Sequence, residues 1–273
     1  DRFGVKPFYY YFKDGEFVFG SEIKQILEYG IKPVVNEKIL FTYLHYGMVD
    51  FSEETFFENI YALKGGSSIS INLDFCSKDI FFNKYKYWEL EYRSANNLES
   101  FRAESEKLGT ELERSVRLRL RSDVEVGSCL SGGLDSSSIV SLACNEINRA
   151  GLSTKEFKTF TACYDNEKEV DERYYSDMIV ESSDCTNIKV KPGVNKLESD
   201  LEDIIWHQDE PFRSLSIFAG WCVMGAAREH GMKVLLDGQG GDETLLGYER
   251  FYAFALMEKL KKLNLLDLIK EFK

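Results

Sequence analysis

The hydrophobic pattern changes character once along the chain. Up to about residue 95, apolar positions come in short aromatic-rich runs broken by turn residues. PFYYYF (7–12) and EFVFG (16–20) flank Lys13-Asp14-Gly15, and an Asp-Gly step between aromatic runs predicts a β-hairpin. SEIKQILEYG (21–30) predicts a short helix, capped by Ser21, striped with Ile23, Ile26 and Leu27, and stopped by Gly30. NEKILFTYLHYG (36–47) repeats the plan between Asn36 and Gly47. GGSSISINL (65–73) alternates polar and apolar residues after a Gly-Gly turn and predicts a strand, and DIFFNKYKYWEL (79–90) a last strand leaving this region. The aromatic clusters at 8–12 and 56–61 read as core packing.

Residues 92–97 turn polar and read as a linker. Beyond them helix and strand patterns alternate. Helices are predicted over 98–120, 134–147, 171–182, 196–207 and 217–230, and strands over 124–130, 157–164, 186–190 and 233–237. A final helix is expected from Glu243, with an amphipathic pattern over 251–272. Strands alternating with helices predict the α/β class, a parallel sheet with helices on both faces. The expected division is 1–95 and 96–273.

Composition narrows the function classes. Of 273 residues, 44% are hydrophobic and 29% charged, which suits a globular protein with a sizeable core. The net charge of −12 speaks against a nucleic-acid or anionic-membrane partner, since both need a surplus of Lys and Arg. The longest apolar run, Ile217–Ala227, is far short of the roughly 20 residues of a membrane span. Six cysteines, none at C-x-x-C spacing, read as reduced buried thiols of a cytoplasmic protein. Scattered His45, His207 and His230 read as structural or surface residues. The chain opens on Asp1-Arg2 inside what reads as a sheet and ends in a helical pattern without a stop signal, so it reads as an interior piece of something longer.

The chemistry concentrates in two stretches. VEVGSCLSGGLDSSSIVSLA (124–143) runs from a strand through Ser131, Gly132, Gly133, Asp135, Ser136 and Ser137 into a helix. Glycines let the backbone approach a ligand, and unpaired amides in the first helical turn, helped by serine hydroxyls, favour a phosphate. The stretch lacks the G-K-[ST] ending of the common nucleoside-triphosphate loop, and a Ser-capped helix after a glycine turn also accounts for it. KVLLDGQGGDETLLGY (233–248) is a second strand, Gly-rich turn and helix start. In a parallel sheet the carboxyl ends of the strands share one edge, so the two turns can face each other there. Asp135 and Asp242 would then both reach a bound triphosphate, a setting suited to Mg²⁺; Asp242-Glu243 also reads simply as acidic residues at a helix start.

LSGGLDSS followed at this distance by DGQGGDE and GY resembles the synthetase domain of the asparagine synthetase family, whose relatives include β-lactam synthetases and peptide cyclases. DRFGVKPFYY, FVFGSEIKQIL and YWEL resemble the later part of that family's glutaminase domain, and VDERYYSDMIVE and DEPFRSLSIFAGW occur in the expected order between the two loops. The resemblance covers essentially the whole chain. It implies an adenine nucleotide α-hydrolase-like sheet preceded by a mostly β remnant of an Ntn-type glutaminase domain.

It also implies an activity: ATP activates a side-chain carboxylate as an acyl-adenylate, and ammonia drawn from glutamine then attacks it. By resemblance, Ser131, Gly132, Gly133, Asp135, Ser136 and Ser137 hold pyrophosphate and Mg²⁺, and Asp242 is the second magnesium carboxylate. Leu130, Ala162, Asp237 and Gly238 border the adenosine. Aspartate is the simplest acceptor, and the expected partners are ATP, glutamine or ammonia, and a second copy of the chain in a homodimer. Two departures bear on the acceptor: Gln239 stands where the family commonly has an acidic residue serving the ammonia step, and Asp237 where serine is frequent. An amide cannot act as a general base, which opens a sugar acid or peptide carboxylate as acceptor, or a non-catalytic nucleotide-binding module. The family's N-terminal cysteine nucleophile and later catalytic lysine have no counterpart here, Lys259, Lys261 and Lys262 reading as a solvated helix face. This chain by itself is therefore expected to be inactive as an amidotransferase. Asp171-Glu172 reads either as a helix start or as a secondary contributor to the ATP site. Asp209-Glu210-Pro211 reads either as part of the active-site edge or as a helix-ending turn.

Overall fold

A computed structural model describes residues 1–13, 15–72, 82–91, 101–165 and 171–261. The chain divides into two compact units, Asp1–Asn97 with Asn195–Ser216, and Leu98–Val194 with Ile217–Lys273. The linker read at 92–97, Cys76, the start of the helix read at 98 and the end of the last helix lie outside the described residues.

The first unit opens with β1 (Tyr9–Lys13) and β2 (Glu16–Gly20), paired antiparallel as the Asp-Gly step predicts. α1 (Ile23–Glu28) follows, but its cap is Glu22 rather than Ser21. Gln25 Oε1 accepts from the amides of Ser21 (2.8 Å) and Glu22 (3.2 Å), so the side chain of the third helical residue reaches back over the chain entry. α2 (Glu37–Tyr46) begins at Asn36, whose side chain accepts from Ile39 N, and ends at left-handed Gly47 (φ 63°). β3 (Ile60–Ala62) pairs antiparallel with β1 and completes the sheet order β2-β1-β3. β4 (Ser67–Ile71) and β5 (Phe82–Lys86) form a separate antiparallel ribbon. Ile23, Ile26 and Ile60 are fully buried and pack with Tyr9, Tyr11, Val18 and Leu27. Burying each such isoleucine contributes about 1.5–3 kcal/mol.

The second unit begins with α3 (Phe101–Arg119), then β6 (Val126–Cys129), α4 (Leu134–Arg149), β7 (Lys158–Ala162), α5 (Arg173–Ser183) and β8 (Thr186–Val190). The chain then forms α6 (Val194–Gln208), α7 (Ser216–Glu229), β9 (Val234–Leu236), α8 (Gly241–Leu245) and α9 (Arg250–Lys261). The four strands run parallel in the order β8-β7-β6-β9. Each face of this sheet has its own core. Leu130 and Leu236 pack with Val116 of α3, Val140 and Ala143 of α4, and Ile179 and Val180 of α5. Phe160 and its neighbours Cys129, Ile188 and Leu235 pack with Val223 and Ala227 of α7. Adjacent residues Cys129 and Leu130 go to opposite cores, as the period-two alternation of a strand requires. The parallel sheet with helices on both faces is thus the one the sequence predicts. The helix expected from Glu243 is broken, however: Leu246 adopts a left-handed φ of 60° and α9 starts only at Arg250.

Segment 195–216 lies between β8 and α7 in sequence but belongs to the first unit. Asp209 takes a left-handed φ of 59°, and its Oδ2 accepts the amide of Ile23 (2.8 Å) at the start of α1. Its Oδ1 lies 3.0 Å from Lys24 Nζ, and both side chains are nearly buried. Glu210 Oε1 accepts the amide of Phe56 (2.7 Å), and Tyr43 Oη donates to Phe212 O (2.9 Å). Asp209-Glu210 is therefore a turn after α6 whose carboxylates are engaged within the first unit, by the amides of Ile23 and Phe56 and by the Lys24 ammonium.

Burial pushes the Glu210 carboxyl above its ordinary range, the Phe56 amide opposes this, and Asp50 and Asp209 add to it. An acid with a raised folded pKa contributes stability that is fully present below its unfolded value and lost as pH rises through the folded one. Glu210→Gln keeps an acceptor for Phe56 N but removes the charge. Its melting temperature is expected to gain on wild type as pH rises from about 4 to about 7. A constant difference across that range would contradict the assignment.

Candidate nucleotide site at the carboxyl edge of the parallel sheet

Hydrogen bonds hold the ends of β6, β7 and β9 level. Ser128 stands opposite Leu236 and donates to its carbonyl (3.2 Å). Leu130 N donates to Phe160 O (2.9 Å), and Thr161 Oγ1 donates to Leu130 O (2.6 Å). Leu130, Ala162 and Asp237 therefore leave their strands along one edge. Parallel pairing makes this the carboxyl edge, where a doubly wound sheet leaves room for a ligand.

The turn after β6 is built by its own side chains. Gly132 has φ 99°, and a Cβ there would lie 2.8 Å from Glu172 O and 3.0 Å from Ser176 N. Glycine thus serves both the left-handed backbone and the close approach of α5. Gly132→Ala is expected to cost about 1–3 kcal/mol, read as a lowered melting temperature. Ser131 N donates to Ser136 Oγ (3.2 Å), Gly133 N to Ser131 Oγ (3.2 Å), and Ser136 Oγ to Gly133 O (3.2 Å). The hydroxyls of Ser131 and Ser136, read from sequence as ligand donors, are thereby engaged in shaping the loop. Ser137 differs: its Oγ is buried and has no hydrogen-bond partner among the described residues. The first intrahelical bond of α4 runs from Ser137 N to Gly133 O (3.0 Å). The amides of Leu134, Asp135 and Ser136 precede that ladder, and Gly133 at the cap has no side chain to satisfy them.

The turn after β9 meets this one. A Cβ on Gly238 would lie 2.8 Å from Ser136 N and 3.1 Å from Asp135 Cβ, so the second turn passes directly over the first turn of α4. Asp237 is exposed, and its Oδ1 accepts Gln239 N (3.3 Å). Gln239 and Asp242 are exposed on the same turn. Glu243 accepts from Tyr248 Oη (2.7 Å), which holds its carboxyl below the usual range. Burial, with Asp237 adding to it, pushes the Cys129 thiol up to about 12, so this sulfur stays protonated beside the edge. Every candidate residue from Leu130 to Ser137 and from Asp237 to Asp242, with Ala162, thus lies at or beside this one edge.

Other contributors were not singled out by sequence. Thr161 fixes the Leu130 carbonyl, and Ser176, fully buried, backs Gly132. The Lys-Thr-Phe-Thr-Ala alternation of β7, with two threonines on one side, is the signal that could have flagged Thr161. Arg173, the first residue of α5, binds Asp171 Oδ2 (2.6 Å) and Asp165 Oδ1 (2.8 Å), and Asp171 also accepts Arg173 N (3.3 Å). Asp171-Glu172 is a helix start, as read.

Comparison with known proteins gives this edge its context. Residues 107–271 match the family described as "Asparagine synthase", and residues 1–88 match "Glutamine amidotransferase domain". The chain belongs to the asparagine synthase family. It is 33% identical to a putative glutamine-hydrolysing asparagine synthetase of Methanocaldococcus jannaschii, over 96% of this chain and 49% of that one. It is 29% identical to Amidase chry2 of Gibberella zeae, over 94% of this chain and 38% of that protein. Against asparagine synthetase 1 of Bacillus subtilis the figures are 30%, 91% and 37%. The chain spans about half or less of the length of these relatives. Among the described residues, no helix is long and apolar enough to cross a membrane.

Residues present at the edge suit a metal–polyphosphate. Ser137 offers an unpartnered buried hydroxyl, the amides of the first turn of α4 are uncapped, and one carboxylate comes from each turn, Asp135 and Asp242.

Proposed function

We propose that the protein is an ATP- and glutamine-dependent amide ligase that adenylates a carboxylate and amidates it with ammonia, in the simplest case converting aspartate to asparagine with release of AMP and pyrophosphate. One observation carries this reading: the turns after β6 and β9 cross so closely that a Cβ on Gly238 would lie 2.8 Å from Ser136 N, at the carboxyl edge of a parallel sheet. ATP is the substrate that such a crossing suits. Its adenosine would lie along Leu130, Ala162, Asp237 and Gly238, and its phosphates against the amides of Leu134, Asp135 and Ser136 and the hydroxyl of Ser137. Asp135 and Asp242 would hold Mg²⁺, which when bound offsets the charge developing on pyrophosphate. The acceptor carboxylate attacks the α-phosphorus, pyrophosphate departs, ammonia attacks the activated acyl carbon and AMP departs. The α4 amides are fixed before the reaction, so they stabilise the leaving pyrophosphate without reorganising. Ammonia drawn from glutamine fits the amidotransferase match over residues 1–88.

A different acceptor is favoured by one specific feature. Gln239 is an amide that cannot take a proton, and two of the relatives are named amidases. A sugar acid or peptide carboxylate is the second reading. ATP–pyrophosphate exchange in the full-length protein, run with aspartate and a panel of other carboxylates, separates the two. Exchange with aspartate supports the first, exchange only with another acid the second, and exchange with none contradicts both.

A further inference from the structure

Two glycines of the second turn present a puzzle for stability. Gly241 is the first residue of α8, where alanine is the better helix former. Neither Gly241 nor Gly247 has a positive φ that would demand glycine. What excludes a side chain is in each case a carboxylate. A Cβ on Gly241 would fall on Oδ2 and Cγ of Asp135 and lie 2.9 Å from its Oδ1. A Cβ on Gly247 would fall on Oδ1 of Asp242 and lie 2.9 Å from its Cγ. The two acids that the proposed reading assigns to the cation are thus each seated against a bare Cα.

We infer that Gly241 and Gly247 are positioning residues that seat the carboxylates of Asp135 and Asp242 for the cation. The inference rests on the proposed nucleotide reading. A methyl group at either glycine meets mainly the far end of a flexible aspartate. That end swings aside at little cost to the fold, so the backbone keeps its path while the carboxylate loses its place. The sequence keeps glycine at a helix start against propensity because the neighbouring acid needs the space. Gly247 also donates its amide to Asp242 O (2.9 Å), which ties the far end of the α8 turn to the residue it seats.

The test is Mn²⁺ binding, followed by electron paramagnetic resonance in the full-length protein with saturating α,β-methylene-ATP, alongside melting temperatures without ligand. Gly241→Ala and Gly247→Ala are expected to melt within about 3 °C of wild type and to bind Mn²⁺ at least tenfold more weakly. Gly220→Ala, in α7 with open space around its Cα, is the control and should match wild type in both. Asp135→Asn separates the two levels of the argument. If it binds Mn²⁺ as wild type does, the nucleotide reading falls and takes this inference with it. If it weakens binding while both alanine variants bind normally, the inference alone is overturned. Alanine variants that unfold also overturn it, because the glycines would then serve the fold.

Discussion

Asp135→Asn is expected to lower ATP–pyrophosphate exchange by two orders of magnitude or more while leaving the parallel sheet and its helices folded. Two orders correspond to about 2.7 kcal/mol of lost transition-state stabilisation. The cost to the fold is smaller. Asp135 lies in the first turn of α4, where its charge interacts with the helix dipole for about 0.3–1 kcal/mol. Asparagine has nearly the same shape, so it still fits against Gly241. The exchange rate and the melting temperature together decide: a large loss of exchange at an unchanged melting temperature assigns Asp135 to the cation, whereas near-wild-type exchange removes that assignment. A parallel loss of both would make Asp135 a structural residue.

The largest expected effect on stability lies in the first unit. Asp209→Ala removes at once a carboxylate partner of Lys24 and the acceptor of Ile23 N, leaving a nearly buried ammonium with Glu22, at 3.2 Å, as its remaining carboxylate among the described residues. Breaking such a pair from one side costs about 3–5 kcal/mol, mostly because the remaining charge is stranded. Replacing both partners, Lys24→Met with Asp209→Asn, is expected to recover most of that loss, because no charge is left buried. Denaturant unfolding followed by the fluorescence of Trp206, whose ring lies 5.7 Å from Lys24 Nζ, reads the effect. A loss below about 1 kcal/mol for Asp209→Ala would mean that the pair behaves as a solvated surface bridge.

What the sequence revealed depends on how local the cause was. The β1–β2 hairpin, α2 and the order of strands and helices after residue 120 follow from turn residues, caps and periodicity within a few positions, and these were legible. β3 was not: three residues, Ile60–Ala62, are a strand because β1 lies beside them, and nothing local distinguishes them from aromatic core packing. The break between α8 and α9 rests on the left-handed φ of Leu246, a residue type that rarely adopts it. Asp209-Glu210 stayed ambiguous for a related reason. Its partners Ile23 and Phe56 are 186 and 154 residues away, and no spacing rule reaches that far. At the candidate site the residue types were legible but the division of labour was not. SGGLDSS gives no hint that Ser131 and Ser136 bond each other while the buried Ser137 hydroxyl stays unused, since that depends on how the turn closes.

The central claim is that the turns after β6 and β9 form one polyphosphate site. An experimental structure of the full-length protein with α,β-methylene-ATP and Mg²⁺ tests it most directly. The account predicts phosphate oxygens within hydrogen-bond distance of the amides of Leu134–Ser136 and the hydroxyl of Ser137, with both Asp135 and Asp242 at the cation. A nucleotide bound on any other edge or face of the sheet, or a cation held without either acid, would contradict it.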